Sequence, residues 1–159
     1  MIIKNIIDED FTNYKTCSMF IGFPTCTFKC EKDCGFKGMC QNTALVNSPD
    51  IDVDVQDIVI RYLTNPLSQA IVCGGLEPFD SFSDLLILVA SIRSAGIQDP
   101  VVIYTGYNKE ELEDKLKVLG RFKNLVVKFG RFIPNQQKHY DEVLGVYLAS
   151  NNQYAERIS

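Results

Sequence analysis

The sequence predicts an α/β fold, a partial (β/α) barrel or curved, mostly parallel sheet with flanking helices. Short apolar runs rich in Val and Ile recur along the chain, and segments of about a dozen residues with helical periodicity separate them. These units are too few for a full eight-stranded barrel. The length of 159 residues and the lack of repeats or linkers predict one domain over residues 1–159.

The first half of the chain contains two predicted strands and two predicted helices. The apolar run CSMFIGF (17–23) is the first strand, and Asp54 is the expected N-cap of the helix that follows. The run AIVCGG (70–75) ends in glycines and is typical of a buried parallel strand. The second helix is expected from Ser83 to Ala95, with Gly96 as its stop. Apolar stripes support both helices: Val55, Ile58, Val59, Tyr62 and Leu63 in the first, and Leu85, Leu88, Val89 and Ile92 in the second.

The second half continues the alternation. Asn108 is expected to start the third helix, with Glu111 in the capping-box position and Gly120 at the end. Its buried stripe consists of Leu112, Leu116 and Leu119. Three apolar runs predict the remaining strands: VVIYTG (101–106), LVVKFG (125–130) and GVYLAS (145–150), the last of which is expected to end the sheet.

Composition and charge exclude several classes of protein. The formal net charge of −4 and the lack of a basic stripe argue against a nucleic-acid binder. No apolar run reaches the roughly 18 residues of a membrane span, and the acidic N-terminal segment is unlike a signal peptide. The six cysteines are therefore expected to be reduced, in a cytoplasmic protein, and to provide metal-binding thiols instead of a disulfide framework. Cys17 and Cys73 lie inside apolar strands and are expected to be plain core residues.

Four of the cysteines, Cys26, Cys30, Cys34 and Cys40, follow the first predicted strand closely. They should therefore lie at the carboxyl end of that strand, where α/β sheets place their ligands. Four soft thiolates so close in sequence can hold one metal ion or cluster. Their spacing contains no CxxC pair, so it indicates a metal without selecting between zinc and iron.

The neighbours of the cysteines carry a family resemblance. Cys26-x3-Cys30, followed later by CQN at 40–42, resembles the cluster loop of the radical S-adenosylmethionine (SAM) superfamily. The domain is thus expected to be of the radical SAM type, with residues 24–42 as its cluster loop. In that superfamily three cysteines hold a [4Fe–4S] cluster, and the open iron binds SAM. The resemblance implies that Cys26, Cys30 and Cys40 are the ligands.

The third ligand departs from the usual spacing. Two residues normally separate the second and third cysteines, and that spacing leads to Asp33. Cys34, one residue further on, is the alternative third ligand. Cys40 is preferred because the residues after it, QN at 41–42, match what usually follows the third cysteine.

Further segments extend the resemblance along the chain. GGLEP (74–78) is similar to the superfamily's GGEP motif, whose glycines let the backbone approach SAM. IYTGYNKEEL (103–112), FGRFIP (129–134) and ASNNQ (149–153) are similar to segments of the small activating enzymes of anaerobic ribonucleotide reductase. The SAM-binding residues that the resemblance implies are Gly74, Gly75, Glu77, Tyr104, Thr105 and Asn152, with Asn151 and Gln153 as further candidates.

The resemblance implies a radical SAM oxidoreductase that cleaves SAM reductively and generates a glycyl radical on a partner enzyme. An anaerobic ribonucleotide reductase is the expected partner, and a flavodoxin or ferredoxin the expected electron donor. A partial sheet leaves a lateral opening that suits an inserted protein loop. Two alternatives remain: a deazapurine-synthase-like radical SAM enzyme acting on a small molecule, and a zinc-binding module without enzymatic activity.

Overall fold

Strands and helices alternate along the chain in the computed structural model, which describes residues 1–35 and 37–159. The strands are β1 (Ile2–Ile3), β2 (Asn5–Asp10), β3 (Ser18–Phe23), β4 (Ile51–Asp52), β5 (Ile71–Gly75), β6 (Val101–Tyr104), β7 (Leu125–Phe129), β8 (His139–Asp141), β9 (Val146–Leu148) and β10 (Tyr154–Arg157). The helices are α1 (Lys29–Cys34), α2 (Thr43–Val46), α3 (Val55–Thr64), α4 (Phe82–Ser94) and α5 (Glu113–Leu119). Short 3-10 turns, Pro78–Ser81 and Lys109–Leu112, lead into α4 and α5.

The central sheet has six strands in the order β10-β7-β6-β5-β3-β2. The four inner strands, β3, β5, β6 and β7, are parallel, and the edge strands β2 and β10 pair antiparallel to them. Successive parallel strands are neighbours, so their carboxyl ends form one continuous edge of the sheet. The predicted α/β class with a mostly parallel sheet and flanking helices is confirmed.

The two faces of the sheet are covered differently. Helices α3, α4 and α5 pack on one face in a large apolar core that includes Met19, Cys73, Leu88 and Val127. On the opposite face a smaller cluster contains Val72 and Val102 together with Leu148 of the β8–β9 hairpin. The hairpin therefore forms the cover of the second face. Within the described residues, no helix combines the length and the apolar character needed to cross a membrane.

Two helix starts that the sequence predicts are confirmed in atomic detail. The side chain of Asp54 accepts a hydrogen bond of 2.8 Å from the backbone N–H of Gln56 at the start of α3. Asn108 and Glu111 form the predicted capping box, in which Asn108 N donates to Glu111 Oε2 over 2.9 Å. The segment after this box begins as a 3-10 turn and becomes helical only at α5.

The end of the fold differs from the prediction. Residues 145–150 were expected to form the last strand of the sheet, but only Val146–Leu148 is a strand, and it pairs with β8 in a separate hairpin. The last strand is β10, antiparallel to β7. β2 is likewise a strand that no pattern in the sequence predicted. The two missed strands of the central sheet, β2 and β10, lie at its edges, where solvent on one side permits the polar composition that hides a strand in the sequence. The short strands β1, β4 and β8, in separate two-stranded sheets, were not predicted either.

Candidate metal and cofactor site

A cavity of about 390 Å³ lies where β5, β6 and β7 end. Its walls come from these strand ends, from the cysteine loop and from the β8–β9 hairpin. The residues of the strand ends and the cysteine loop that line it are Cys30, Cys40, Gln41, Asn42, Gly74, Gly75, Leu76, Glu77, Tyr104, Thr105, Gly106, Lys128 and Gly130. The predicted position of a ligand site at the carboxyl edge of the sheet thus coincides with this cavity.

Most of the residues implied by the resemblance line this one cavity. They are Cys30 and Cys40 from the cysteine loop, Gly74 and Gly75 at the end of β5, Glu77 just after it, Tyr104 at the end of β6, Thr105 just after it, and Gln153. Cys26, Cys34 and Asn152 do not belong to its lining. Their roles, like the ligand assignments as a whole, stay predictions.

The cysteine sulfurs occupy separate positions. Cys26 Sγ accepts a hydrogen bond of 3.2 Å from the backbone N–H of Phe28, whereas Cys34 Sγ donates to the carbonyl of Glu31 over 3.7 Å. Among the described residues, no three Cys, His, Asp or Glu side chains come close enough to hold a metal ion. Cys30 and Cys40 both line the cavity wall.

Burial is the main influence on the pKa values of Cys26 and Cys30, the first two cysteines of the loop. It raises the pKa of Cys26 to about 12, and the nearby carboxylates of Glu77 and Asp80 add to the effect. Burial also raises the pKa of Cys30, while the N–H of Phe132 and the charges of Lys128 and Arg131 oppose the increase. Both groups are therefore thiols in the metal-free chain at neutral pH.

Gly75 shows why the turn after β5 needs glycine. Its φ is +86°, and an added Cβ would lie 2.8 Å from both Cα of Gly22 and Cδ2 of Leu45. The carbonyl of Gly75 accepts a hydrogen bond of 2.6 Å from the side chain of Asn42. The glycine turn is thus packed against β3 and tied to the end of the cysteine loop.

Glu77 is the buried acid of the cavity, with only 4% of its surface exposed. Oε1 accepts hydrogen bonds from Thr105 Oγ1 (2.8 Å) and the N–H of Phe79 (3.1 Å), and Oε2 accepts from the N–H of Gly106 (2.8 Å). Burial raises its pKa to about 7 even though these three hydrogen bonds favour the charged form. An ammonium group of a ligand would shift Glu77 toward the carboxylate.

The sequence matches the family described as the 4Fe-4S single cluster domain over residues 15–154. The chain belongs to this family. No curated protein and no solved structure shows significant similarity to it. Membership supports the iron–sulfur cofactor predicted from the cysteine loop.

The surroundings of Cys30 in this 4Fe-4S single cluster domain fit such a cluster. Thiolates are the usual cluster ligands, and Cys30 and Cys40 already line the cavity. An added Cβ at Gly106 would lie 3.2 Å from Cys30 Sγ, so glycine keeps the space beside this sulfur free of a side chain.

Lys128 is a cavity residue of the cluster domain that the sequence analysis missed. It lies in β7, is 6% exposed, and its Nζ donates to the carbonyl of Gly130 over 3.0 Å. Burial lowers its pKa to about 8, and ionisation of Cys30 or Glu77 would oppose the shift. The sequence feature that could have identified Lys128 is its place inside the otherwise apolar run LVVKFG, since an unpaired lysine is rarely buried without a role.

The amide side chains near the C-terminus hold backbone groups. Asn152 Nδ2 donates to the carbonyl of Arg131 over 2.9 Å, and Asn151 N donates to Oε1 of Gln136. Gln153 accepts from two N–H groups of the hairpin end and donates to the carbonyl of Gly130. Gln153 itself lines the cavity, whereas Asn151 and Asn152 do not belong to its lining.

Proposed function

We propose that this 4Fe-4S protein is a radical SAM oxidoreductase that generates a glycyl radical on a partner enzyme, an anaerobic ribonucleotide reductase. The observation that carries the proposal is the composition of one cavity wall. Two cysteines, the glycine turn 74–75 and the buried acid Glu77 meet at adjacent strand ends. Such a wall combines metal ligands with a surface for a small polar molecule.

In this proposal Cys26, Cys30 and Cys40 hold the cluster. Three thiolates leave one iron of a [4Fe–4S] cluster free for a ligand. When bound, the cluster supplies the electron that cleaves the sulfonium of SAM. Cys40 is preferred over Cys34 because Cys40 lines the cavity, whereas the Cys34 thiol faces the carbonyl of Glu31.

The charges of the cavity suit the amino-acid end of SAM. Glu77 provides a buried acid and Lys128 a buried amine on the same wall. A zwitterion carries an ammonium and a carboxylate, so it can neutralise both groups at once. The Gly74-Gly75 backbone offers a close approach for the ligand, and Tyr104 and Thr105 are the proposed neighbours of its ribose or adenine.

Anaerobic reconstitution tests the proposal. The protein is loaded with iron and sulfide, reduced, and examined by electron paramagnetic resonance with and without SAM. We expect the cluster spectrum to change when SAM binds, formation of methionine and 5′-deoxyadenosine, and a glycyl radical on added reductase. A spectrum that SAM leaves unchanged would refute the proposal.

Two other outcomes separate the alternatives. Cleavage of SAM with deuterium transfer into a small molecule, and no glycyl radical, would favour an enzyme with a small-molecule substrate. One zinc per chain and no iron in protein purified without oxygen would contradict both enzymatic functions. The dependence of SAM cleavage on flavodoxin or ferredoxin identifies the proposed electron donor.

A further inference from the structure

We propose that Arg131, together with Glu111, is a positioning residue that clamps helix α1 of the cysteine loop against the carboxyl ends of β6 and β7. Helix α1 carries Cys30, and the inference rests on the proposed function only in treating this cysteine as a cluster ligand. Residues 111 and 131 belong to segments that follow β6 and β7, so the clamp joins the loop to the sheet.

The core of the clamp is a two-point ion pair. Arg131 Nη1 lies 2.7 Å from Glu111 Oε2, and Nη2 lies 2.8 Å from Glu111 Oε1. The Arg131 side chain is only 13% exposed. A guanidinium that meets a carboxylate through two parallel hydrogen bonds is held in direction as well as in distance, which a lysine could not achieve.

Both members of this pair also contact α1. Lys29 Nζ donates to Glu111 Oε1 over 2.8 Å and lies 4.7 Å above the ring of Tyr107. Asp33 forms an ion pair with Nε of Arg131. Lys29 and Asp33 are four residues apart and so lie on one face of the short helix, which is held at both of its ends.

The position of Asp33 gains an explanation from this contact. It is the residue at which the usual spacing would place a third cysteine, and here it pairs with Arg131. Its carboxylate is therefore engaged in holding α1. Asp33 thus does not act as the third ligand of the cluster, and in the proposed function that ligand is Cys40, further along the loop.

Phe132, directly after Arg131, lines the cavity together with Cys30. Exposed ion pairs usually contribute little to global stability, and Lys29 and Asp33 are 42% and 56% exposed. The effect is therefore expected in the loop and not in the whole fold.

Limited proteolysis of the metal-free chain of 159 residues tests the clamp. The protease Lys-C cuts after lysine, so the substitutions Arg131→Met and Glu111→Gln leave its sites unchanged. Lys29, Lys32 and Lys37 are its sites in the loop. Since the loop must open locally to be cut, we expect cleavage there to become about tenfold faster in either variant. The double variant should be cut faster than either single variant, because Arg131→Met leaves the Lys29–Glu111 contact and Glu111→Gln leaves the Asp33–Arg131 contact.

Arg61 provides the matched control. Its guanidinium makes a similar two-point pair with Asp8, at 2.6 and 2.8 Å, between α3 and β2. Arg61→Met should leave loop cleavage at the wild-type rate. Arg131→Lys keeps the charge but loses the two-point geometry and adds a Lys-C site at position 131. Its rate is therefore read only from the fragments cut after Lys29, Lys32 and Lys37, and it should be intermediate.

Iron retention provides a second measurement. After reconstitution, we expect Arg131→Met and Glu111→Gln to lose iron to a chelator severalfold faster than the wild type and Arg61→Met. Equal loop cleavage and equal iron loss in Arg131→Met and Arg61→Met would overturn the inference. Should Arg131→Met fail to fold by circular dichroism, the milder Glu111→Gln decides. Neither measurement uses SAM, so a failure of SAM cleavage with an intact clamp would count against the proposed function alone.

Discussion

The hydroxyl group of Thr105 donates a hydrogen bond of 2.8 Å to Oε1 of Glu77. These two residues follow neighbouring parallel strands, β6 and β5, and the contact joins their ends across the floor of the cavity. Gly106 adds a second link through its N–H to Oε2. The Glu77 carboxyl group is thus fixed in direction before any ligand enters.

Glu77 should make the stability of the metal-free protein depend on pH. Its pKa is about 7 in the folded chain and near 4.5 when unfolded, so the folded chain binds more protons between these values. The free energy of unfolding should therefore fall by about 3 kcal/mol as the pH rises from 4.5 to 7, from this group alone. Urea unfolding of wild type and Glu77→Gln at several pH values measures the contribution, because the variant lacks it.

Parallel pH profiles of the two proteins would contradict this expectation. Thr105→Val provides a companion measurement. It removes one of the hydrogen bonds that favour the charged form, so the pKa of Glu77 should rise further. A carbon-13 titration of the Glu77 carboxyl group reports the pKa directly in both proteins.

Replacing Lys128 should stabilise the fold. Burial lowers the pKa of Lys128 to about 8, so the charged amine is unfavourable in the folded chain at pH 7. Lys128→Met should raise the free energy of unfolding at pH 7 by about 1–4 kcal/mol. The carbonyl of Gly130 keeps a partner, because Gln153 Nε2 also donates to it.

The pH dependence of the stability gained by Lys128→Met provides its control. Between pH 8 and 10.5, the ordinary pKa of lysine, Lys128 binds fewer protons in the folded chain than in the unfolded chain. The free energy of unfolding of the wild type should therefore rise across that window. The advantage of Lys128→Met should shrink over the same window, as urea unfolding would show. An advantage that is constant with pH would mean that packing, and not charge burial, explains it. Isothermal titration should show weaker SAM binding by the variant if Lys128 contacts the ligand.

Gly75→Ala should destabilise the protein more than Gly96→Ala. Both glycines have a positive φ, +86° and +81°, so alanine is strained at either position. An added Cβ at Gly96 meets nothing within 4 Å, whereas at Gly75 it meets Gly22 and Leu45 at 2.8 Å. We expect the loss of unfolding free energy at Gly75 to exceed that at Gly96 by about 1–3 kcal/mol. Equal losses of unfolding free energy in the two variants, measured by urea unfolding, would show that β3 and α2 shift to make room for the methyl group at position 75.

Cysteine variants identify the ligands of the cluster. Cys26→Ala, Cys30→Ala and Cys40→Ala should each abolish cluster assembly, because three thiolates are needed to anchor it. Cys34→Ala should leave it intact, since the resemblance assigns the third ligand to Cys40, which lines the cavity, and the Cys34 thiol instead donates to the carbonyl of Glu31. Iron and sulfide content with the spectrum of the reconstituted protein provides the measurement. Loss of iron in Cys34→Ala with retention in Cys40→Ala would reverse the assignment of the third ligand.

Local signals in the sequence predicted much of the fold. Asp54 and the Asn108–Glu111 box mark helix starts because short polar side chains satisfy free backbone N–H groups there, and the structure contains both contacts. The apolar runs that became β3, β5, β6 and β7 are buried between two layers, so their composition is nearly uniform. Edge strands such as β2 lack this constraint and gave no signal.

The cavity could be predicted only in part. The glycine turn and Glu77 were recognisable because they are contiguous in sequence, and the register of β5 and β6 then brings them to Thr105. The clamp of Arg131 and Glu111 depends on residues 20 positions apart that meet only after β7 is placed beside β6. No local pattern contains that information.

The burial of Cys26 has a consequence for assembly of the domain. A protonated thiol is a poor nucleophile, so the empty chain should resist oxidation at Cys26 even in air. Iron must then displace the proton as it binds, and loading should release acid and proceed faster in alkaline buffer. The burial that keeps the Cys26 thiol protonated therefore has two effects. It protects the thiol from oxidation in the metal-free protein, and it requires the incoming iron to displace the proton before the cluster can form.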